Sequence, residues 1–285
     1  MVIKDDYDKY CMKSCNTNEI LISTRPVYFD DDYAVKLKDI LAEKGLTKKF
    51  IKELNLGKNV KKMCSAASSA RLCFWHFFDN KNIIYEETEI TNCLCYPNYD
   101  AHDEKNNIFY ECKCHEIFDS PSAKFSYNYI CIFNKYFKMR YEKKTKNHKD
   151  GVVEKYIEPT YNDFGIEDFG QNASIYRQKF DFKQMLCHIF GLLTLDTNPT
   201  LKYIIFVPNE EIITKNETRE NRGKVGKWLK NTKTLIDIIF TKIGEVKVYK
   251  DEKEHKLGDL INFEYEFIDV SKVEDKILKE YLSKN

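Results

Sequence analysis

In the stretch FYECKCHEIFD (residues 109–119), Glu111 and Lys113 stand two apart and alternate with Cys112 and Cys114. Side chains on a strand alternate faces, so a strand here puts the glutamate and the lysine on one face and the two thiols on the other. The preceding apolar segment ends in PNYD, and the polar turn HDEKN folds the chain back, which brings Asp100 beside Glu111. Two carboxylates and one ammonium then converge. Oxygen donors of this kind suit a hard cation such as Mg²⁺, which takes one or two carboxylates and fills its shell with water and substrate phosphate oxygens. A neighbouring lysine stabilises developing negative charge and helps to position or deprotonate the attacking water. These are the needs of phosphodiester hydrolysis. The competing account is a surface hairpin with a cross-strand ion pair, a common and weak arrangement.

Further residues bear on the same chemistry. In NIIYEETEI (residues 82–90), Ile84, Glu86, Thr88 and Ile90 share one face, while Tyr85, Glu87 and Glu89 form a face that reads as solvated. Glu86 is an acid on a mostly apolar face, where an unpaired charge is costly, so it is a candidate additional metal ligand. Glu87 and Glu89 compete for that role, as does a solvated strand edge. Gln184 and His188 lie one helical turn apart and are either phosphate contacts or an exposed polar stripe. Cys93, Cys95, Cys112 and Cys114 make two C-x-C pairs, but sulfurs two residues apart on a strand are too far separated for one tetrahedral zinc without bending. Buried core thiols are the expectation. Basic clusters fall at residues 48–62, 135–149 and 215–230. The second is read as a flexible loop at the mouth of the cleft, where Arg140, Lys143, Lys144 and Lys146 would meet phosphate, and the third contributes Arg222. Solvated lysine-rich faces are the default account of each.

The elements that must hold these residues are legible in the spacing of apolar side chains. Residues 33–56 read as two helices broken at Gly45, and residues 65–78 as a more buried helix ended by DNKN. The period then shifts towards two over residues 82–90, 92–101 and 107–114, a three-strand meander, with a further strand over 127–137. An irregular insertion runs to about residue 177. Residues 180–195 form an apolar helix and 201–209 a buried strand, a crossover unit; a helix over 223–243, a strand over 261–270 and a terminal helix complete the chain. The 285 residues, 42% hydrophobic, suffice for one domain. Lys and Arg (46) nearly cancel Asp and Glu (45), so net charge offers no argument for a nucleic-acid partner and any basic surface is local. Ten irregularly spaced cysteines, an N-terminus without an apolar signal-peptide core, and no run long enough to span a membrane point to a soluble protein of the reducing cytoplasm.

The order helix, strand, PNYD strand, ECK strand, helix, strand resembles the PD-(D/E)XK nuclease superfamily, specifically its bacterial restriction-endonuclease-like branches. Asp100, Glu111 and Lys113 match the family's Asp, Glu and Lys, with Pro97 and Asn98 as a relaxed form of its Pro-Asp pair. Tyr85 followed by Glu86, Glu116 three residues after the lysine, and Gln184 on the next helix extend the likeness, which covers about residues 65–210. The resemblance implies a single α/β domain: residues 1–64 an N-terminal helical extension, 65–210 a catalytic core with a central mixed sheet flanked by helices, and 211–285 elements completing it. It further implies Mg²⁺, with Mn²⁺ able to substitute, held by Asp100 and Glu111 with Glu86 as a further ligand, Lys113 supporting the attacking water, and DNA as substrate. A restriction or defence endonuclease, as a homodimer where both strands are cut, is the specific expectation. A repair or recombination nuclease, a catalytically idle nucleic-acid-binding or interaction protein of the same fold, and a zinc-stabilised binding module are the alternatives.

Overall fold

A computed structural model describes residue 29 and residues 31–54, 62–64, 68–88, 95–114, 132, 135–137, 143–148, 151–156, 182–207 and 224–283. The helical pattern near the N-terminus resolves into α1 (Asp31–Glu43) and α2 (Thr47–Leu54). Gly45 lies between them at a φ of 70°, a left-handed conformation that glycine adopts without steric cost. The third helix, α3 (Ser69–His76), opens on Ser68, whose hydroxyl accepts the Arg71 backbone N–H. Leu72, Cys73, Phe74 and Trp75 are all buried. An apolar surface of that breadth requires cover on more than one side. Phe29, Tyr33, Leu37 and Leu41 at α1 and Phe50 of α2 share its core, so these helices pack with α3 around one side of the sheet.

The sheet runs in the order β1 (Ile83–Thr88), β2 (Asn98–Asp103), β3 (Ile108–Lys113), β6 (Thr200–Val207) and β9 (Asn262–Asp269). The first three strands form the expected antiparallel meander, and β6 and β9 add in parallel. Asp103 fastens the β2–β3 turn by accepting the backbone and side-chain N–H groups of Asn106. Parallel neighbours need crossovers: α4 (Phe182–Leu193) precedes β6, and α5 (Lys224–Gly244) lies between β6 and β9. On the second face, Met185, Leu186, Ile189, Phe190 and Leu193 of α4 and Ile236, Ile239 and Ile243 of α5 pack against Phe109, Leu201, Tyr203 and Ile205. The small hairpin of β7 (Lys247–Lys250) and β8 (Lys253–Lys256), the short α6 (Leu257–Leu260) and the terminal α7 (Lys276–Ser283) complete the described elements. The architecture is α/β, a five-stranded mixed sheet flanked by helices. No helix among the described residues is long and apolar enough to cross a membrane.

Several expectations change. The second strand begins at Asn98 rather than near residue 92, directly after Pro97, which cannot donate to a ladder. Ile132 and Lys135–Phe137 are helical where a strand was expected, and Ile132, Tyr136 and Phe137 are buried in the α4 core. The basic run is not simply a loop: Lys143–His148 is a strand, β4, paired antiparallel with β5 (Gly151–Tyr156). Ladder hydrogen bonds therefore order a segment whose charge suggested solvation. Tyr85, read as part of a solvated face, is 5% exposed, because it packs on Phe50 and Phe74 and donates its hydroxyl to the Phe74 carbonyl. Burial is the main cause that pushes its phenol pKa far above the usual tyrosine range.

The α4 helix meets β2 with no room to spare. A Cβ on Gly191 would collide with Pro97 Cγ and lie 2.5 Å from Tyr99 Oη. Gly191→Ala should therefore cost about 1–3 kcal/mol through overpacking. A lowered urea midpoint with unchanged slope is the expected reading, and an unchanged midpoint would refute close docking at this point.

Candidate active site

The β2–β3 ladder pairs Asp103 with Ile108, His102 with Phe109 and Ala101 with Tyr110, and its recorded pairing stops there. Beyond it, the Cys112 backbone N–H is taken by the Asp100 carboxylate, Oδ2 at 2.6 Å. The normal alternation of β2 also breaks at this point. Tyr99 lies in the α4-side core and Ala101 in the α3-side core, although they are two residues apart. Asp100 thus sits in the gap where β2 and β3 part, against the residue that follows Glu111.

Glu111 faces α4 and is 1% exposed. Lys113, two residues on, forms an ion pair with Glu111 Oε1. Gln184 closes a ring with both: its Nε2 donates to Glu111 Oε1 at 2.9 Å, and its Oε1 accepts from Lys113 Nζ at 2.8 Å. His188, one helical turn later, brings Nε2 to 3.1 Å from the Asn98 carbonyl and 3.5 Å from Glu111 Oε2. The helix carries its apolar residues into the core and presents these two polar ones to the only charged group buried beneath it on β3. A buried ion pair is weak evidence for stability, since desolvation offsets its Coulomb gain. Such a cluster is a functional-site candidate instead.

Glu86 is placed differently from the other acids. The β1–β2 register pairs Tyr85 with Ala101 and Glu87 with Tyr99, passing over Glu86 and Asp100. Glu86 has a φ of 49°, which is uncommon for a residue with a side chain and is a marker of strain near functional sites. Its carboxylate accepts from Asn98 Nδ2 at 2.8 Å, and Asn98 Oδ1 in turn accepts from the Thr88 hydroxyl at 2.8 Å. Of Glu86 and Glu87 on this strand, Glu86 is the one that bonds the Asn98 side chain at the start of β2; Glu89 lies outside the described residues.

The structure therefore joins Glu111, Lys113, Gln184 and His188 and sets the Asp100 carboxylate against the backbone of Cys112 between the first two, but does not add Glu86 to a three-acid cluster. Among the described residues, no group of three or more His, Cys, Asp and Glu side chains is arranged to hold a metal ion. Asp100 and Glu111, on adjacent strands with Lys113 beside them, still fit Mg²⁺, because this ion uses one or two carboxylates and draws the rest of its shell from water and phosphate. Of the two readings of Gln184 and His188, phosphate contacts or an exposed polar stripe, neither describes His188, which is 2% exposed. Asn98 is the contributor that sequence reasoning took only as part of a motif: its backbone carbonyl meets His188 while its amide holds Glu86.

Of the described thiols, Cys64, Cys73, Cys95, Cys112 and Cys114 are buried and Cys187 is partly buried. Cys112 and Cys114 lie in the α3-side core, whereas Cys95 lies in the α4-side core, so the two C-x-C pairs do not assemble. Burial raises the pKa of Cys112 and of its neighbour Cys73, which keeps both protonated at neutral pH. Cys93, Glu116, Arg140 and Arg222 lie outside the described residues. Lys143, Lys144 and Lys146 lie on β4, which belongs to a two-stranded sheet separate from the central one. No family model matches this chain, and no curated protein or solved structure matches it.

Proposed function

We propose that this protein is a Mg²⁺-dependent endonuclease that hydrolyses phosphodiester bonds in DNA, of the restriction or defence type. The observation that carries the reading is the Glu111–Lys113 ion pair on β3, with the Asp100 carboxylate accepting the N–H of the intervening Cys112 where β2 and β3 part. The meander followed by a helix and a parallel strand is also the order that the PD-(D/E)XK resemblance requires. Asp100 and Glu111 would hold the metal. Bound there, Mg²⁺ supplies Lewis acidity at the scissile phosphate. Lys113, with its side chain 11% exposed, offers an ammonium to the attacking water and to the charge that develops on phosphate. Gln184 fixes the lysine by accepting from Nζ and fixes the glutamate by donating to Oε1. Low exposure of these groups strengthens their electrostatic effect relative to water.

The test is incubation of the purified protein with plasmid, single-stranded DNA and RNA, in Mg²⁺ and in EDTA. Cleavage of DNA in Mg²⁺ and its loss in EDTA are expected. A protein that cuts nothing with any divalent metal would instead be a binding or interaction protein of this fold.

The β4–β5 hairpin is the proposed DNA-binding element. Its register sets Lys144 opposite Lys155 and Lys146 opposite Val153 on a two-stranded ribbon. A ribbon of this width fits the major groove of duplex DNA. Changing these three lysines to alanine should flatten the slope of log affinity against log salt by about 0.9 per lost phosphate contact. An unchanged slope would show that the ribbon is only a solvated surface.

A further inference from the structure

We infer that His188 is a positioning residue for Glu111: its Nε2, whose hydrogen goes to the Asn98 carbonyl at 3.1 Å, also lies 3.5 Å from Glu111 Oε2 and offers that oxygen a positive electrostatic neighbour. This rests on the reading of Glu111 as a metal-holding acid. The imidazole lies on α4 among Met185, Leu186, Ile189 and Phe190, all fully buried, and is itself 2% exposed. A polar ring at such a position is costly unless its nitrogen atoms are used. The groups around Nε2 define how it is used. The Asn98 carbonyl oxygen at 3.1 Å and Glu111 Oε2 at 3.5 Å are both acceptors. A bare lone pair on Nε2 would face oxygen lone pairs, so Nε2 carries hydrogen whether the ring is neutral or charged.

The ring is held in that direction from several sides. Tyr99 packs against it with centroids 4.9 Å apart and donates its hydroxyl to the His188 carbonyl at 2.8 Å. One turn further along, the absence of a side chain on Gly191 lets α4 approach Pro97 and Tyr99. The helix cannot shift away from β2 without losing these contacts.

The consequence falls on Glu111. Lys113 and Gln184 grip Oε1, and the His188 Nε2 edge lies 3.5 Å from Oε2 as an electrostatic contact, which biases the orientation of the carboxylate. A glutamate has several rotatable bonds, and a metal-holding group displaced by an ångström loses much of its effect. His188 is too buried to reach DNA, so its action on the reaction passes through Glu111.

His188→Phe keeps a flat ring and removes the donor, while His188→Gln restores an N–H donor. Mg²⁺ affinity, read calorimetrically on the full chain, should fall about tenfold to a hundredfold in His188→Phe, the usual effect of losing a group that orients a ligand. His188→Gln should recover most of it. Where cleavage is measured, kcat at a fixed subsaturating Mg²⁺ should fall and KM for DNA should hold. Wild-type Mg²⁺ affinity in His188→Phe would overturn the inference. A second readout is independent of metal and of cleavage. In protein carrying ¹⁵N-labelled histidine, the His188 ring should show hydrogen on Nε2, and a neutral ring protonated only on Nδ1 would overturn the assignment. If the wild type neither binds Mg²⁺ nor cuts DNA, the nuclease reading falls, and a His188 ring without hydrogen on Nε2 would still overturn the placement of that hydrogen beside Asn98 and Glu111.

Discussion

Lys113→Met should lower DNA cleavage about a hundred- to a thousand-fold, the usual loss when one preorganised electrostatic donor is removed from a reacting centre. DNA affinity should change little, because it is the sum of many phosphate contacts away from the scissile bond. Methionine keeps the length and apolar stem of lysine, so the comparison isolates the ammonium. It also withdraws a cation from a glutamate that is 1% exposed, with Gln184 Nε2 still donating at 2.9 Å. Some loss of stability is therefore expected, and cleavage must be measured well below the thermal midpoint of the variant. Asp100→Asn is the complementary change. Its amide oxygen can still accept the Cys112 N–H that Asp100 holds at 2.6 Å, so the gap between β2 and β3 stays supported while the metal-holding charge disappears. Mg²⁺-dependent cleavage should vanish with the fold intact. Wild-type rates in both variants would remove these residues from the mechanism.

What was legible of the candidate site rests on period-two spacing, which fixes direction. Glu111 and Lys113 share a face for any strand through residues 108–113, and the HDEKN turn then brings Asp100 alongside. Local spacing could not reveal that β2 stops pairing with β3 at Ala101, where Pro97 and Tyr99 instead pack closely against Gly191 of a distant helix. Tyr85 was misread for a related reason: its neighbours Glu86 and Glu87 suggested water, whereas the partners that bury it, Phe50 and Phe74, come from two helices. The β7–β8 hairpin also escaped notice. Its turn places Asp251 and Glu252 at φ values of 51° and 64°, a conformation usually signalled by asparagine or glycine. Helices fared better. Gly45, the apolar run at 182–193 and the long pattern at 224–244 each carry their boundaries in local residue types. Helical structure at Lys135–Phe137 is the exception, for Tyr136 and Phe137 pack into a core whose other members lie far along the chain.

The largest effect on stability should come from Asp275, far from the candidate active site. Its Oδ2 accepts from the Tyr33 hydroxyl at 2.5 Å and from Arg71 Nη1 at 2.6 Å, and Oδ1 lies 3.1 and 3.2 Å from the N–H groups of Ile277 and Leu278. One carboxylate thereby ties the start of α7 to α1 and α3. Trp75 extends the network by donating to the Tyr33 oxygen. Arg71 is 4% exposed and Asp275 6%, so removal of either takes a close ion-pair partner from a buried charge. Asp275→Ala should cost about 3–5 kcal/mol, read as a lower urea midpoint. Asp275→Asn preserves an acceptor for the helix N-terminus and should lose less, which separates capping from charge pairing. Burial and, next, the Asp275 charge hold the Tyr33 pKa well above its ordinary value of 10.0. Because the folded value is raised, this tyrosine's contribution is fully present below pH 10.0 and is lost as pH rises through the folded value. The wild type should therefore lose stability in strong alkali, and Tyr33→Phe should lose less over the same interval. Equal alkaline losses in the two proteins would show that Tyr33 ionisation does not control this part of the fold.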